Sequence, residues 1–411
     1  MKAYEPLSNT AVSSDAPKSW LEQRVAQRLS TALQEAESGL LVTFPSGYQK
    51  RMGAAVEQAP KADLKLHSLK PFLRLLTGGI NGWSEAYLAG EWDSSDLSAL
   101  IRWGLRNEHA LSGLAKARFL VQALHNLYHK RRDNTKQGSR RNIAAHYDLG
   151  NDFYQLWLDD TMTYSAALYR DYGESLQAAQ VNKYNRILEL LDAPKGASII
   201  EIGCGWGGFA HQAASQGYHV DGITLSTEQL KWAQEVAVSA GFEEQVNLSL
   251  TDYRDLDAKY DGVVSIEMFE AVGESHWDTY FAKLNQVLKP GANAVLQIIT
   301  IDDERFHSYR KQADFIQRYV FPGGMLPSVA MLRKKADEHG FELTTQQMFG
   351  HDYAQTLREW AAKFEQHWPT IRQQGFDDRF YRLWRYYLAY CEGGFDENSI
   401  DVGFFVLTPK A

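Results

Sequence analysis

The chain has 411 residues, with 51 acidic against 43 basic side chains and a formal net charge of -8. That length favours two domains with an ample core, and the acidic balance excludes a general nucleic-acid binder, which carries a basic footprint. The two cysteines, Cys204 and Cys391, have neither metal-ligand spacing nor a disulfide framework, so no metal is expected and a reducing, cytoplasmic setting is the simplest reading.

Residues Met1 to Pro17 are polar and small, without the apolar segment of a signal peptide, and no stretch approaches the roughly 20 apolar residues of a spanning helix. Any membrane contact is therefore expected to be peripheral, at the inner face. Ser19-Trp20-Leu21-Glu22 has capping-box form, and Leu21, Val25, Leu29 and Leu33 then recur at helical spacing. Short, partly alternating runs follow at 40–44 and 62–69. After them come a glycine-punctuated stretch from Thr77 to Tyr87 and a helical pattern through Leu97, Leu100 and Ile101. These predict a small α+β domain over 1–125.

Residues 126–141 form a basic linker, with Lys130, Arg131, Arg132, Lys136, Arg140 and Arg141 around Asp133. It reads as a solvated tether or as a contact with anionic lipid headgroups, where each basic residue near the surface is worth about 1 kcal/mol. Beyond it, over 142–411, strand and helix patterns alternate. Strands are predicted at 198–202, 218–223, 246–250, 260–265 and 293–299, and helices at 206–216, 226–240, 276–288 and 305–318. Such alternation implies a doubly wound parallel sheet. A last strand, 402–407, follows a long helical, aromatic insertion.

Gly203, Gly205 and Gly208 open the first helix of that sheet in G-x-G-x-x-G form, which alone is a weak sign of a nucleotide-like ligand. A dinucleotide site wants an acid at the tip of the second strand. Asp221 lies near the right distance, but Gly222-Ile223-Thr224 continues the strand and puts Thr224 at its carboxyl end. Thr224-Leu225-Ser226 with Gln229, then Asp252-Tyr253-Arg254-Asp255, place polar groups at successive strand ends, which favours S-adenosylmethionine over a dinucleotide.

Several blocks in order, His146-Tyr147-Asp148-Leu149-Gly150-Asn151-Asp152-Phe153-Tyr154, Met162-Thr163-Tyr164-Ser165, the glycine turn, Met268-Phe269-Glu270-Ala271-Val272-Gly273 and Tyr319-Val320-Phe321-Pro322-Gly323-Gly324, resemble those of the cyclopropane fatty acid synthases. The resemblance runs from about 142 to the end, and the stretch from Trp83 to Trp92 resembles, less specifically, the extra lipid-binding domain of the bacterial enzymes. It implies a seven-stranded class I methyltransferase domain with a helical lipid-binding cap. It also implies transfer of a methylene from S-adenosylmethionine to the cis double bond of an unsaturated phospholipid chain in a bilayer, and a homodimer.

By the same resemblance Tyr164 and Ser165 cover the methionine moiety, Gly203 and Gly205 admit the backbone, and Thr224, Leu225 and Gln229 reach the ribose. Asp252, Tyr253, Arg254 and Ile266 border the adenine. A bicarbonate serves as base, held by Glu270, Tyr353 and the backbone at Ile299. Glu267, at the same strand end, is the nearest competitor of Glu270. This chain departs from the family at Ala166, where many relatives have cysteine, and at Gln297, where the bacterial enzymes have a histidine able to take up a proton. The first change is tolerable if the contact is a backbone N–H.

An alkene attacking a sulfonium methyl leaves a carbocation, which aromatic faces stabilise by roughly 0.5 to 2 kcal/mol each. Phe269, Tyr319 and Phe321 are candidates on the substrate side, with Tyr164 and Tyr353, against the alternative that most are core aromatics. The aromatic and arginine-rich run from Trp360 to Phe395 suits a packed cap and the wall of an acyl tunnel. Alternatives are a C-methyltransferase of the same family leaving a methyl or methylene branch, a small-molecule N- or O-methyltransferase, and a noncatalytic lipid-binding protein.

Overall fold

The computed structural model describes residues 19–53, 61–111, 134–136, 138–139, 149–311 and 313–410. The polar N-terminus, most of the basic linker and the His146-Tyr147-Asp148 part of the first matched block lie outside the described residues. The chain divides into two compact units, 1–122 and 123–411.

In the first unit, helix α1 (Trp20–Ala32) starts where the capping sequence predicts, with Ser19 Oγ accepting from the Glu22 N–H at 3.1 Å. The reciprocal half of the box is absent. Glu22 Oε1 instead accepts from the Ser46 N–H at 3.1 Å and ties the helix to the turn of a hairpin, β1 (Leu40–Thr43) and β2 (Gln49–Met52). β3 (Ala62–Leu66) pairs parallel to β1, and the short β4 (Trp92–Asp93) pairs antiparallel to β3.

Between β3 and β4, the stretch that reads as glycine-punctuated is helical, α2 (Lys70–Leu88), broken at Gly79 where φ 60 and ψ -148 admit only glycine. The break folds the two halves together so closely that a Cβ on Gly82 would overlap the Arg74 carbonyl. Trp92 stacks on Trp83, and its ring N–H donates to the Trp83 carbonyl at 3.0 Å. α3 (Leu97–Arg106), capped by Asp96, and α4 (Glu108–Leu111) complete the unit.

The second unit holds a seven-stranded sheet in the order β10-β11-β9-β8-β5-β6-β7. After α5 (Asn151–Tyr154) and α6 (Leu176–Leu191), the chain runs β5 (Ser198–Ile202), α7 (Gly208–Ser215), β6 (His219–Thr224), α8 (Thr227–Ala240), β7 (Val246–Leu250), β8 (Tyr260–Ile266), α9 (Trp277–Val287) and β9 (Leu288–Ile301). These strands are parallel, and β5 and β8 carry the adjacent buried apolar pairs Ile199-Ile200 and Val263-Val264, as strands covered on both faces require. β11 (Ile400–Pro409) inserts antiparallel between β9 and β10 (Phe341–Met348), a strand the sequence pattern does not reveal.

The helix predicted over 305–318 is two, α10 (Asp303–Tyr309) and α11 (Phe315–Tyr319). Asp314 caps the second and exchanges a full capping box with Gln317, a restart signal inside the apparent period. α12 (Val329–Glu338) precedes β10, and the long α13 (Gly350–Gln373) and α14 (Asp378–Asp396) form the aromatic cap before β11. A core of Ile200, Ile202, Val263, Leu284, Leu296, Ile298 and Phe405 holds helices to sheet. Asn134, in the segment that reads as linker, is buried on this unit, donating to the Gly323 carbonyl at 2.8 Å and accepting from Arg254 at 3.2 Å.

Replacing Gly82 with alanine forces a methyl into the Arg74 carbonyl, an overpacking that costs about 1–3 kcal/mol. Urea titration of the full chain should show a lower midpoint for Gly82→Ala, and an unchanged midpoint would mean that the two halves of α2 are not held in close contact.

Candidate functional site

Strand order reverses between β5 and β8, and in open α/β sheets ligands bind outside the carboxyl ends of strands at such a point. Both ends carry unusual backbone. Beyond β5, Gly203 (φ 88) and Gly205 (φ 52) are left-handed, and a Cβ on Gly205 would meet nothing within 4 Å, so a ligand can lie against the turn. Beyond β8, Glu267 itself has φ 48, a conformation that costs a residue with a Cβ about 1–2 kcal/mol.

Three hydrogen bonds hold Glu267 there. Its Oε1 accepts from the Ala166 N–H and from Gln297 Nε2, each at 2.7 Å, and its Oε2 accepts from the Tyr353 hydroxyl at 2.8 Å. Gln297 comes from β9, opposite Ile266 of β8; Tyr353 comes from α13 and Ala166 from the loop after Tyr164. Glu270, one 3-10 turn further on, accepts from the Ile299 N–H through Oε1 at 2.5 Å. Its Oε2 is buried with no hydrogen-bond partner, as is Gln297 Oε1.

Both carboxyls are displaced upward, Glu270 to about 8, first by burial and then by the negative charge of Glu267. Burial also pushes Glu267 up, opposed by the Ala166 N–H, the Tyr353 hydroxyl, Lys183 and Gln297. Three donors favour the anion on Glu267, and one donor with a neighbouring anion favours the acid on Glu270.

Lys183, which sequence reasoning missed, is fully buried, donates to Ser165 Oγ at 2.6 Å, and is brought down to about 7 by burial against the pull of Glu267, Asp159 and Glu201. Its neighbour Gln180 donates to the Ser165 carbonyl at 2.9 Å. The sign in the sequence is two polar residues on the apolar face of α6, whose buried positions include Leu176, Ala179, Tyr184 and Ile187.

Of the other expected site residues, Tyr164 is partly exposed, its hydroxyl 2.8 Å from that of Tyr387 on α14 and its ring beside Trp157, Trp360 and Phe321. Tyr319 and Phe321 are partly exposed as well. Phe269 departs from its expected substrate contact: it is 1 % exposed, stacked on Trp277 and packed against Tyr280 and Phe281, because its 3-10 turn aims it into the core while Glu270 turns to the Ile299 N–H.

Thr224 ends β6 and lies 3.2 Å from Gln229 Oε1, with Leu225 half-buried beside it. Asp221 is taken up by Tyr260 and Asn247, a structural role. Asp252 receives both Arg254 Nε at 2.8 Å and Nη2 at 2.7 Å, so the pair satisfies itself, with Tyr253 beneath the guanidinium. Ile266 stands partly exposed at the end of β8.

S-adenosylmethionine fits this crevice: the open face at Gly205 admits it, and the Glu267 carboxylate and the unpartnered buried acceptor Gln297 Oε1 suit a cationic ligand. Of its expected holders the bicarbonate would find only the Glu270 acid group unengaged, too few donors for a buried anion. The Ala166, Ile299 and Tyr353 hydrogens are each spent on a protein carboxylate, and Gln297 Nε2 is divided between Glu267 and the Ala166 carbonyl at 3.4 Å.

A carboxyl whose folded pKa is raised contributes stability that is full below its unfolded value and lost as pH rises through the folded one. For Glu270 that window runs from 4.5 to about 8. The urea midpoint of the wild type should therefore fall between pH 5 and pH 8 by more than that of Glu270→Gln, which has no proton to lose; equal falls would contradict the raised value.

The mycolic acid cyclopropane synthetase family model matches residues 134–405. The chain is 38% identical over 361 residues to the tuberculostearic acid methyltransferase UfaA1 of Mycobacterium tuberculosis, covering 85% of this chain and 83% of that protein. It is 36% identical over 358 residues to the cyclopropane-fatty-acyl-phospholipid synthase of Escherichia coli, covering 86% and 89%. Among solved structures, the mycolic acid cyclopropane synthase CmaA1 complexed with SAH and CTAB superposes with a TM-score of 0.62 at 30% identity, covering 65% of this chain and 97% of that one.

Proposed function

This chain belongs to the mycolic acid cyclopropane synthetase family of S-adenosylmethionine-dependent methyltransferases, and within it we propose transfer of a methylene to the cis double bond of unsaturated phospholipid acyl chains. The observation that carries the reading is the electrostatic bias of the crevice. The Ala166, Gln297 and Tyr353 donors are spent on the Glu267 carboxylate, while the buried Gln297 Oε1 stands unpartnered, a surrounding that favours a sulfonium donor and positive charge on an acyl chain.

Bound against Gly203 and Gly205, S-adenosylmethionine supplies an electrophilic methyl. Tyr164 and Ser165 border its methionine end, Thr224, Leu225 and Gln229 its ribose, and Asp252, Tyr253, Arg254 and Ile266 its base. The Tyr164, Tyr319 and Phe321 rings line the acyl side and offer aromatic faces to the developing cation. Glu270 and Tyr353 hold the polar edge of the site through Ile299 and Glu267, and the cap helices exclude water from it.

Among the described residues no helix is long and apolar enough to cross a membrane. In the first unit Leu73, Leu76 and Ile80 of α2 are 64%, 57% and 51% exposed, which supports peripheral docking on the bilayer that holds the substrate. By the same family resemblance we propose a homodimer. Identity to a tuberculostearic acid methyltransferase, together with Gln297 in place of a histidine, favours a second reading, in which the product keeps a methyl or methylene branch.

The test is incubation of the full chain with cis-monounsaturated phospholipid vesicles and methyl-labelled S-adenosylmethionine, followed by proton NMR of the released esters. Upfield ring-methylene signals are expected. Vinylic signals would establish the branching reaction instead, and absence of label from lipid would refute both.

A further inference from the structure

Closing a ring requires that the transferred carbon lose a proton, so a base must stand at the site. We propose that the base is the carboxylate of Glu267, a built-in anion that takes up the Tyr353 hydroxyl expected to hold bicarbonate together with two further donors, so that turnover needs no bicarbonate. The inference rests on the lipid methyltransferase reading and deepens it.

Four observations converge. The Tyr353 hydroxyl, expected to hold a bound anion, donates to Glu267, and so do the Ala166 N–H and the Gln297 amide beside it. Both Glu267 oxygens are thereby fixed from three separate segments, a degree of support that suits a base which must meet one carbon. The left-handed backbone places strain at the residue whose side chain makes these three bonds. Glu270, which receives one donor, retains the proton beside it, and Lys183, which donates to Ser165, favours the anion on Glu267 whenever it carries its own proton.

The chemistry balances with these groups. The π electrons of the alkene bond to the methyl carbon of S-adenosylmethionine as its C–S bond breaks and S-adenosylhomocysteine leaves, putting positive charge on the second alkene carbon. Glu267 takes one proton from the transferred carbon, and the C–H electron pair forms the third bond of the ring. Its carboxylic acid then releases that proton to solvent before the next turnover.

The experiment measures label transfer to cis-monounsaturated phospholipid vesicles in buffer stripped of carbon dioxide and in the same buffer with added bicarbonate. Wild-type rates are expected to be equal in the two. Glu267→Gln should bind S-adenosylmethionine normally by calorimetry while turnover falls by roughly 100-fold or more, the usual worth of a general base. Glu267→Gly, which suits the backbone, frees the three donors, and it should be inactive without bicarbonate and regain turnover with it. A wild type that stops in stripped buffer and recovers on adding bicarbonate would overturn the proposal, as would Glu267→Gln turning over at the wild-type rate. A wild type that labels no lipid in either buffer would remove the methyltransferase reading on which the proposal stands.

Discussion

A carboxylate taken out of water must find donors, and the end of β8 is arranged around that demand. Glu267 receives them from the loop after Tyr164, from β9 and from α13, so one anion draws three parts of the methyltransferase unit to a single point. The strained backbone of Glu267, the choice of Gln297 in the middle of an apolar strand, and the placement of the Tyr353 hydroxyl are intelligible together and not separately. Removing any one donor leaves a buried charge less compensated, the kind of loss that costs more than a hydrogen bond is worth when made.

From that point the chemistry of the crevice follows. With the Ala166, Gln297 and Tyr353 donors committed to Glu267, the site presents an anion and ring faces, which stabilise cations and disfavour a further anion. Glu270 illustrates the consequence: the charge beside it and its own burial push it up to about 8, so two carboxyls three residues apart hold different protonation states at neutral pH. The aromatic cap adds the second requirement, an apolar enclosure in which Tyr164 meets the rings of Trp360 and Phe321.

Much of this was legible in the sequence because it is periodic or ordered. Strands at 198–202 and 246–250 appear where apolar runs alternate with helical patterns, and the structure places them at those residues. Thr224 ends its strand as the Gly222-Ile223-Thr224 continuation implies. What escaped was set by tertiary contacts. β10, FELTTQQM, has too little apolar alternation to announce a strand and forms because β11 offers it an edge. Phe269 and Glu270 are adjacent, and only the 3-10 turn decides that one enters the core and the other the crevice. Glu267 could be named as a competitor of Glu270, but which carboxylate takes the donors depends on a backbone conformation that sequence does not disclose.

The central claim is that, of the two carboxyls at the end of β8, Glu267 is the anion and Glu270 the acid. Infrared difference spectroscopy of protein carrying carbon-13 in its glutamate carboxyls, comparing wild type with Glu270→Gln at neutral pH, reads this directly. The account predicts that the variant loses intensity from the C=O stretch of a protonated carboxyl and keeps its carboxylate band. Loss from the carboxylate band, with the protonated band intact, would contradict it.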